Sequence, residues 1–344
     1  MLRFNQKSKV HTICSYPWEK FKINPEGDVA MCCFQDDKTL GNLLEQSFEE
    51  IWYGQIAKNI RHHLSEDRMP FECSRSNSCP YKNVGKVYPV ELSYGDLPID
   101  LEIDLPTQHC NIGGEKPDAE NPACIMCERH KVGWERFWQE DHLEEICQKL
   151  KHLVKGLRSI HVQGIAEPFW KGYIFQILEW LDIKNRPSIV VSTTTNGTLM
   201  TKRVREQFLE YENTILVWSL DAATPATFKL IRRIDAYKKI TENLKNYCQE
   251  RNPDRQRVRI HNNINLLNIR EVEAMVDFAA EAGVDEINFN PTYGCEGIIV
   301  SNHNVHLFQE AEQKINRRAA EKGVHATYMR PMTLNLVQLG GLNS

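Results

Sequence analysis

The sequence predicts an α/β protein: a partial barrel of six βα units behind a small, cysteine-rich α+β segment. Three observations carry this. Short β-rich runs alternate with amphipathic helical runs from residue 99 onward, which is the rhythm of a parallel sheet. The chain has 344 residues, enough for one large α/β domain with an appendage. Eight of its 11 cysteines crowd into residues 14–127.

The six strands are expected at 99–105, 159–163, 188–194, 214–220, 258–264 and 286–290. Between the first two, Leu143, Ile146, Cys147, Leu150, Leu153 and Val154 recur at helical spacing, as do Ile174, Phe175, Ile177, Leu178 and Leu181 after the second. Further helices are readable at 200–210, 238–250, 270–282 and 304–321. Six units fall short of the eight that close a full barrel, so the expectation is a partial, TIM-like (β/α)6 barrel. Its reactive edge lies at the C-terminal ends of the strands. Residues 1–80 read differently. FKINPEGDVAMC is two extended runs around a Pro-Glu-Gly turn, followed by a helical stretch at 47–64. So little apolar material calls for a metal or disulfide staple. The expected divisions are 1–80, a linker at 81–98 marked by Gly85, Pro89, Gly95 and Pro98, the barrel at 99–325, and a tail at 326–344.

Composition is that of a globular protein, with 41% hydrophobic and 26% charged residues. The 42 basic and 46 acidic residues leave a formal charge of -4, which supplies no broad cationic field for nucleic acid. The basic stretches at 251–259 and 151–158 are the places where RNA contact would fall, and they define a different class of protein, a non-catalytic zinc- or cluster-binding module. No apolar run reaches the length of a membrane span, and residues 1–20 lack the apolar stretch of a signal peptide, so a cytoplasmic location is expected. In such a reducing compartment clustered cysteines point to metal rather than disulfides.

Cys110, Cys124 and Cys127 follow the strand LEIDL directly, which places three thiols on one loop at the reactive edge. A closed zinc site takes four ligands, whereas three cysteines on a 4Fe-4S cluster leave one iron open. His109 or His130 would complete the zinc alternative. On the loop alone the two readings stay open.

With three further motifs in view beside this loop, the sequence resembles the radical S-adenosylmethionine (radical SAM) superfamily across residues 99–325. QHCN with CIMC is similar to the family's cluster loop, GIAEPF to its glycine-rich amino-group motif, TTTNGTLM to its Thr-Asn-Gly turn, and WSLDAATPATFKLIRR to its Ser-Leu-Asp segment followed by an arginine. The resemblance implies that Cys110, Cys124 and Cys127 hold a 4Fe-4S cluster. Gly164, Glu167 and Pro168 would meet the methionine amino group of S-adenosylmethionine, and Thr195, Asn196, Ser219 and Asp221 would serve as polar partners. Arg233, or its neighbour Arg232, would take the carboxylate, and Met126 would stand where the family carries an aromatic residue against adenine. Two departures are visible. Thirteen residues separate Cys110 from Cys124 where the common pattern has three, and Ile165 and Ala166 replace glycines.

Cys14, Cys32, Cys33, Cys73 and Cys79 surround INPEGDVAMCC, LGNLLEQSFEEIW and FECSRSNSCP. This run resembles the SPASM or twitch type of auxiliary-cluster domain and implies a second 4Fe-4S cluster, with Cys32 or Cys33 as one ligand. In the family the module normally follows the barrel, and here it precedes it. A structural zinc site is the other reading of these thiols. Cys147 and Cys248 read as buried core thiols. Cys295 and Tyr293, in PTYGCEG past the sixth strand, are candidates to donate or accept a hydrogen atom. The expected substrate is a small molecule or a peptide, and the expected electron donor a flavodoxin or ferredoxin.

Overall fold

Leu101, Ile103, Ile160 and Val162 are wholly buried. Strand alternation around them places Glu102, Asp104, His161 and Gln163 on the opposite face. The computed structural model describes residues 8–32, 39–74, 79, 90–105, 110–112, 124–127, 140–164, 166–292, 297–299 and 304–328. It divides into two compact units: Met1–Pro106 with Arg136–Gly164 and Gly172–Val191, and Thr107–Glu135 with Ile165–Lys171 and Ser192–Ser344.

In the first unit β1 (Ser8–Thr12) pairs antiparallel with β5 (Val90–Tyr94). A second sheet runs β4 (Gly41–Asn42), β3 (Asp28–Ala30), β2 (Lys20–Ile23), β6 (Asp100–Asp104), β7 (Ser159–Gln163), then the first residues of β8 (Val190–Thr195). The Pro-Glu-Gly hairpin forms as read, but β2 also pairs in parallel with β6, so the hairpin extends the sheet of the first barrel strand. The stretch read as a linker contributes β5. The predicted helix at 47–64 is two helices, Phe48–Trp52 and Gln55–Ser65. Ser47 and Glu50 close a reciprocal capping box at its start. The break falls at Gly54, whose backbone is extended and where a side chain would meet the Glu50 carbonyl. Phe21, Phe48 and Trp52 pack ring on ring, with the Phe21–Phe48 centroids 5.1 Å apart.

Lys20 and Lys22, on β2, both reach the buried carboxylate of Glu102, and Lys22 also reaches Asp104 at 2.7 Å. Burial alone would raise the pKa of Glu102, but Lys22 and Lys20 reverse this and bring it to about 2. The folded value lies below the unfolded one. The stabilisation is therefore present above the usual carboxylate range and is lost as pH falls toward 2, amounting to about 3 kcal/mol. Urea midpoints followed from pH 6 to pH 2 are expected to fall steeply for the native chain. Glu102→Gln should start lower and vary less across the same window; equal slopes would refute the assignment.

In the second unit β9 (Thr214–Ser219), β10 (Gln256–Ile264), β11 (Glu286–Pro291) and β12 (His325–Tyr328) follow the end of β8 in spatial order. β9 with β10, β10 with β11, and β11 with β12 pair in parallel. All six predicted strands form within about two residues of the expected bounds. β12 falls at the end of the expected barrel and the start of the expected tail. Val258, Ile260, Ile287 and Phe289 are buried, as are Met275, Val276, Phe308 and Ile315 of helices Val272–Ala282 and Val305–Lys322. Cys147 is buried as expected, but Cys248 is only half-buried.

The stretch at 251–259 does not form a free basic surface. Arg251 is buried on Asp285, Arg255 pairs with Glu212, Arg257 with Asp285 and Arg259 with Glu286, so its charge is matched locally. Among the described residues no helix is long and apolar enough to cross a membrane.

Candidate cluster and cofactor site

Cys124 is buried against Ile112, and Cys110, Cys127 and Ile234 pack on that pair, so three thiols separated in sequence share one small apolar cluster. Two backbone bonds shape the loop. Cys127 N–H donates to the Cys124 carbonyl at 2.9 Å, closing a turn, and Ile125 N–H donates to the Ile231 carbonyl at 3.0 Å. The second bond fastens the loop to helix Pro225–Arg232, which Thr224 caps by accepting from Thr227 N–H.

That helix ends at Arg232, which is buried and ion-paired with the fully buried Asp221. Its Nη2 donates to Ser219 Oγ at 2.6 Å and its Nη1 lies 4.0 Å from Cys124 Sγ. Asp221 is held in turn by Asn263 N–H at 2.8 Å. Arg233, the arginine expected at the carboxylate, is instead the exposed left-handed cap of the helix, at φ 58°. One residue further along a helix rotates a side chain by roughly 100°, and here that turn separates the buried guanidinium from the exposed one. Burial pushes the Cys124 thiol up to about 11 despite the opposing pull of Arg232.

Glu167 is also buried. Its two carboxylate oxygens accept from Thr195 Oγ1 at 2.7 Å and Asn196 N–H at 2.8 Å. Burial pushes its pKa up to about 7, against the lowering effect of those bonds. Both oxygens are thus already engaged with the Thr-Asn-Gly turn, which makes Glu167 a brace for that turn. Gly197 is required there. Its φ is +77°, and a side chain would strike the Trp218 indole. Gly164, in the first unit, has φ +123°, and a side chain would come within 2.7 Å of the Leu105 carbonyl. Pro168 is buried.

Two residues not singled out from the sequence complete this arrangement. Asn111, next to Cys110, accepts from Asn196 Nδ2 at 2.9 Å and donates to Thr198 Oγ1 at 2.7 Å, tying the cluster loop to the turn. Asn265 is fully buried, and its Nδ2 lies 3.4 Å from Met126 Sδ. The asparagine after Cys110 in QHCN was a visible signal for the first. Nothing in sequence spacing marked the second.

In the first unit Cys14, Cys73 and Cys79 lie close enough to couple electrostatically. Burial pushes Cys14 up to about 11 and Cys73 up to about 12. Cys32 is half-buried. Cys33, Tyr293, Cys295, His109 and His130 lie outside the described residues. Among the described residues no three His, Cys, Asp or Glu side chains close on a single ion. The donor chemistry, soft thiols gathered at Cys110, Cys124 and Cys127 in one unit and at Cys14, Cys73 and Cys79 in the other, fits iron–sulfur clusters.

Fold and site together define an α/β protein that gathers a set of cysteine thiols in each of its two units. Residues 119–279 match the radical SAM superfamily, and residues 14–80 match the SPASM iron-sulfur cluster-binding domain. The chain carries a SPASM domain ahead of a radical SAM domain, and these bring S-adenosylmethionine, a 4Fe-4S cluster and auxiliary iron–sulfur binding as cofactors.

A relative from Sulfurisphaera tokodaii named probable GTP 3',8-cyclase is 26% identical over 237 residues, covering 67% of this chain and 68% of the relative. Native anSMEcpe with bound AdoMet shares the fold at a TM-score of 0.53 and 17% identity, over 67% of this chain and 64% of that one. Streptococcus suis SuiB bound to S-adenosylmethionine aligns at a TM-score of 0.49 and 16% identity, over 68% of this chain. The chain spans about half the length of SuiB.

Proposed function

We propose that this protein reductively cleaves S-adenosylmethionine and abstracts hydrogen from a small-molecule or peptide substrate, with an auxiliary 4Fe-4S cluster serving electron transfer or substrate binding. The observation that supports this best is the meeting of Cys110, Cys124 and Cys127 beside the Asp221–Arg232–Ser219 set in one unit. A 4Fe-4S cluster held by Cys110, Cys124 and Cys127 would supply the electron for reductive cleavage of the sulfonium. The chain's own residues supply position and exclusion. Ile112 and Ile234 flank the thiols and limit water, and Arg232 sets a fixed positive charge beside Cys124. Glu167 and Asn111 hold the Thr-Asn-Gly turn rigid next to the loop. Cys14, Cys73, Cys79 and Cys32 or Cys33 would hold the auxiliary cluster, and a flavodoxin or ferredoxin would deliver electrons. The name of the Sulfurisphaera tokodaii relative offers GTP as a second reading of the substrate.

Anaerobic reconstitution with iron and sulfide tests the proposal. About eight irons and a similar amount of labile sulfide are expected per chain, from two clusters. With dithionite, S-adenosylmethionine should be converted to 5'-deoxyadenosine. Bound zinc without sulfide would overturn the reading.

A further inference from the structure

Helix Pro225–Arg232 carries two of the contacts that shape the cluster loop, the Ile231 carbonyl on Ile125 N–H and the Arg232 guanidinium beside Cys124. Both lie at its C-terminal end. At eight residues the helix is a rod of about 12 Å, so whatever holds its first turn also decides where its last turn stands.

That first turn is gripped from outside by one carboxylate. Glu271, half-buried at the start of helix Val272–Ala282, accepts from Ala223 N–H at 2.7 Å, from Thr224 Oγ1 at 2.8 Å and from Thr227 Oγ1 at 2.5 Å. An anion there also suits the positive end of the helix dipole. Three residues earlier, Asn268 is buried and its Nδ2 donates to the Asp221 carbonyl at 2.7 Å. Segment 268–271 therefore holds both the strand end that carries Asp221 and the helix that carries Arg232, the two halves of the buried ion pair. Other carboxylates of the same helix turn elsewhere. Glu273 pairs with Arg317 and Asp277 with Arg318, both on helix Val305–Lys322, which fastens scaffold to scaffold.

We propose that Glu271 is a positioning residue of the cluster site: it fixes helix Pro225–Arg232 so that Arg232 stands beside Cys124 and Ile231 anchors the loop. The inference rests on the reading of Cys110, Cys124 and Cys127 as the thiols of that cluster. A grip that served the fold alone would show in stability and nowhere else.

The test uses reconstituted variants and reads iron content, S-adenosylmethionine affinity by equilibrium dialysis, and the electron paramagnetic resonance spectrum of the reduced protein with and without S-adenosylmethionine, beside urea midpoints. Glu271→Ala removes every acceptor. At native iron content it is expected to weaken binding roughly tenfold, about one charge-assisted hydrogen bond, and to alter the spectrum recorded with S-adenosylmethionine. Glu271→Gln keeps an oxygen for Ala223 N–H, and its amide can donate to the threonine hydroxyls, so affinity should return to within about threefold of native. Asp277→Asn, which loosens the same helix on its other side, is expected to change the urea midpoint alone. Native affinity and spectrum in Glu271→Ala, no recovery in Glu271→Gln, or an equal effect of Asp277→Asn would each overturn the inference. Should Glu271→Ala fail to take up iron, Thr227→Val removes one of the three donors and decides by the same readouts, with weakened affinity expected and native affinity overturning the proposal. Unchanged iron on replacing Cys110, Cys124 and Cys127 would refute the underlying reading instead.

Discussion

Replacing Cys110, Cys124 and Cys127 together by alanine should remove about four of about eight irons and abolish cleavage of S-adenosylmethionine. The three side chains share one apolar cluster, and Cys124 is buried at its centre. Alanine there leaves no donor for iron yet remains compatible with the packing of Ile112 and Ile234. The auxiliary thiols Cys14, Cys73 and Cys79 belong to the other compact unit and should keep their share of iron. Iron and sulfide analysis beside a chromatographic assay for 5'-deoxyadenosine checks both halves of the result. Retained cleavage, or loss of all iron with an intact fold, would contradict the assignment.

The second large effect concerns Arg232. Removing it leaves Asp221, which is fully buried, without its counter-ion. Breaking one side of such a pair costs about 3–5 kcal/mol, because the remaining carboxylate stays buried and uncompensated. Arg232→Ala is therefore expected to lower the urea midpoint of the reconstituted protein sharply. Arg232→Met combined with Asp221→Asn should recover much of the loss, since it removes both charges and keeps the volume. Arg233→Ala, one position along, should change stability by no more than about 0.5 kcal/mol, as befits an exposed side chain. A reversed ranking of Arg232→Ala and Arg233→Ala would show that the ion pair is not the stabilising contact.

Much of the barrel was legible because its signals are local. Strand alternation in LEIDL and SIHVQ, and the helical spacing of Ile174, Ile177 and Leu178, each recur within a few residues, where chain geometry alone sets which side chains share a face. The cluster loop was legible because thiols are few and chemically specific. β12 was missed because HATY is short and half-exposed, with no run of buried residues to mark it. Part of the candidate site, Tyr293 and Cys295, lies outside the described residues.

By itself the sequence determined the order of βα units, the early hairpin, and the two groups of cysteines with their spacing. Only the tertiary structure decided what those elements meet. It joined β2 to β6, so that Lys20 and Lys22 neutralise Glu102, a pairing across roughly eighty residues that no local pattern encodes. It chose Arg232 over Arg233 for the buried charge, and it turned both oxygens of Glu167 toward Thr195 and Asn196. The reason is common to all three. A charged group can be buried only where a partner arrives to hold it, and which partner arrives depends on long-range packing rather than on the residues beside it in the chain.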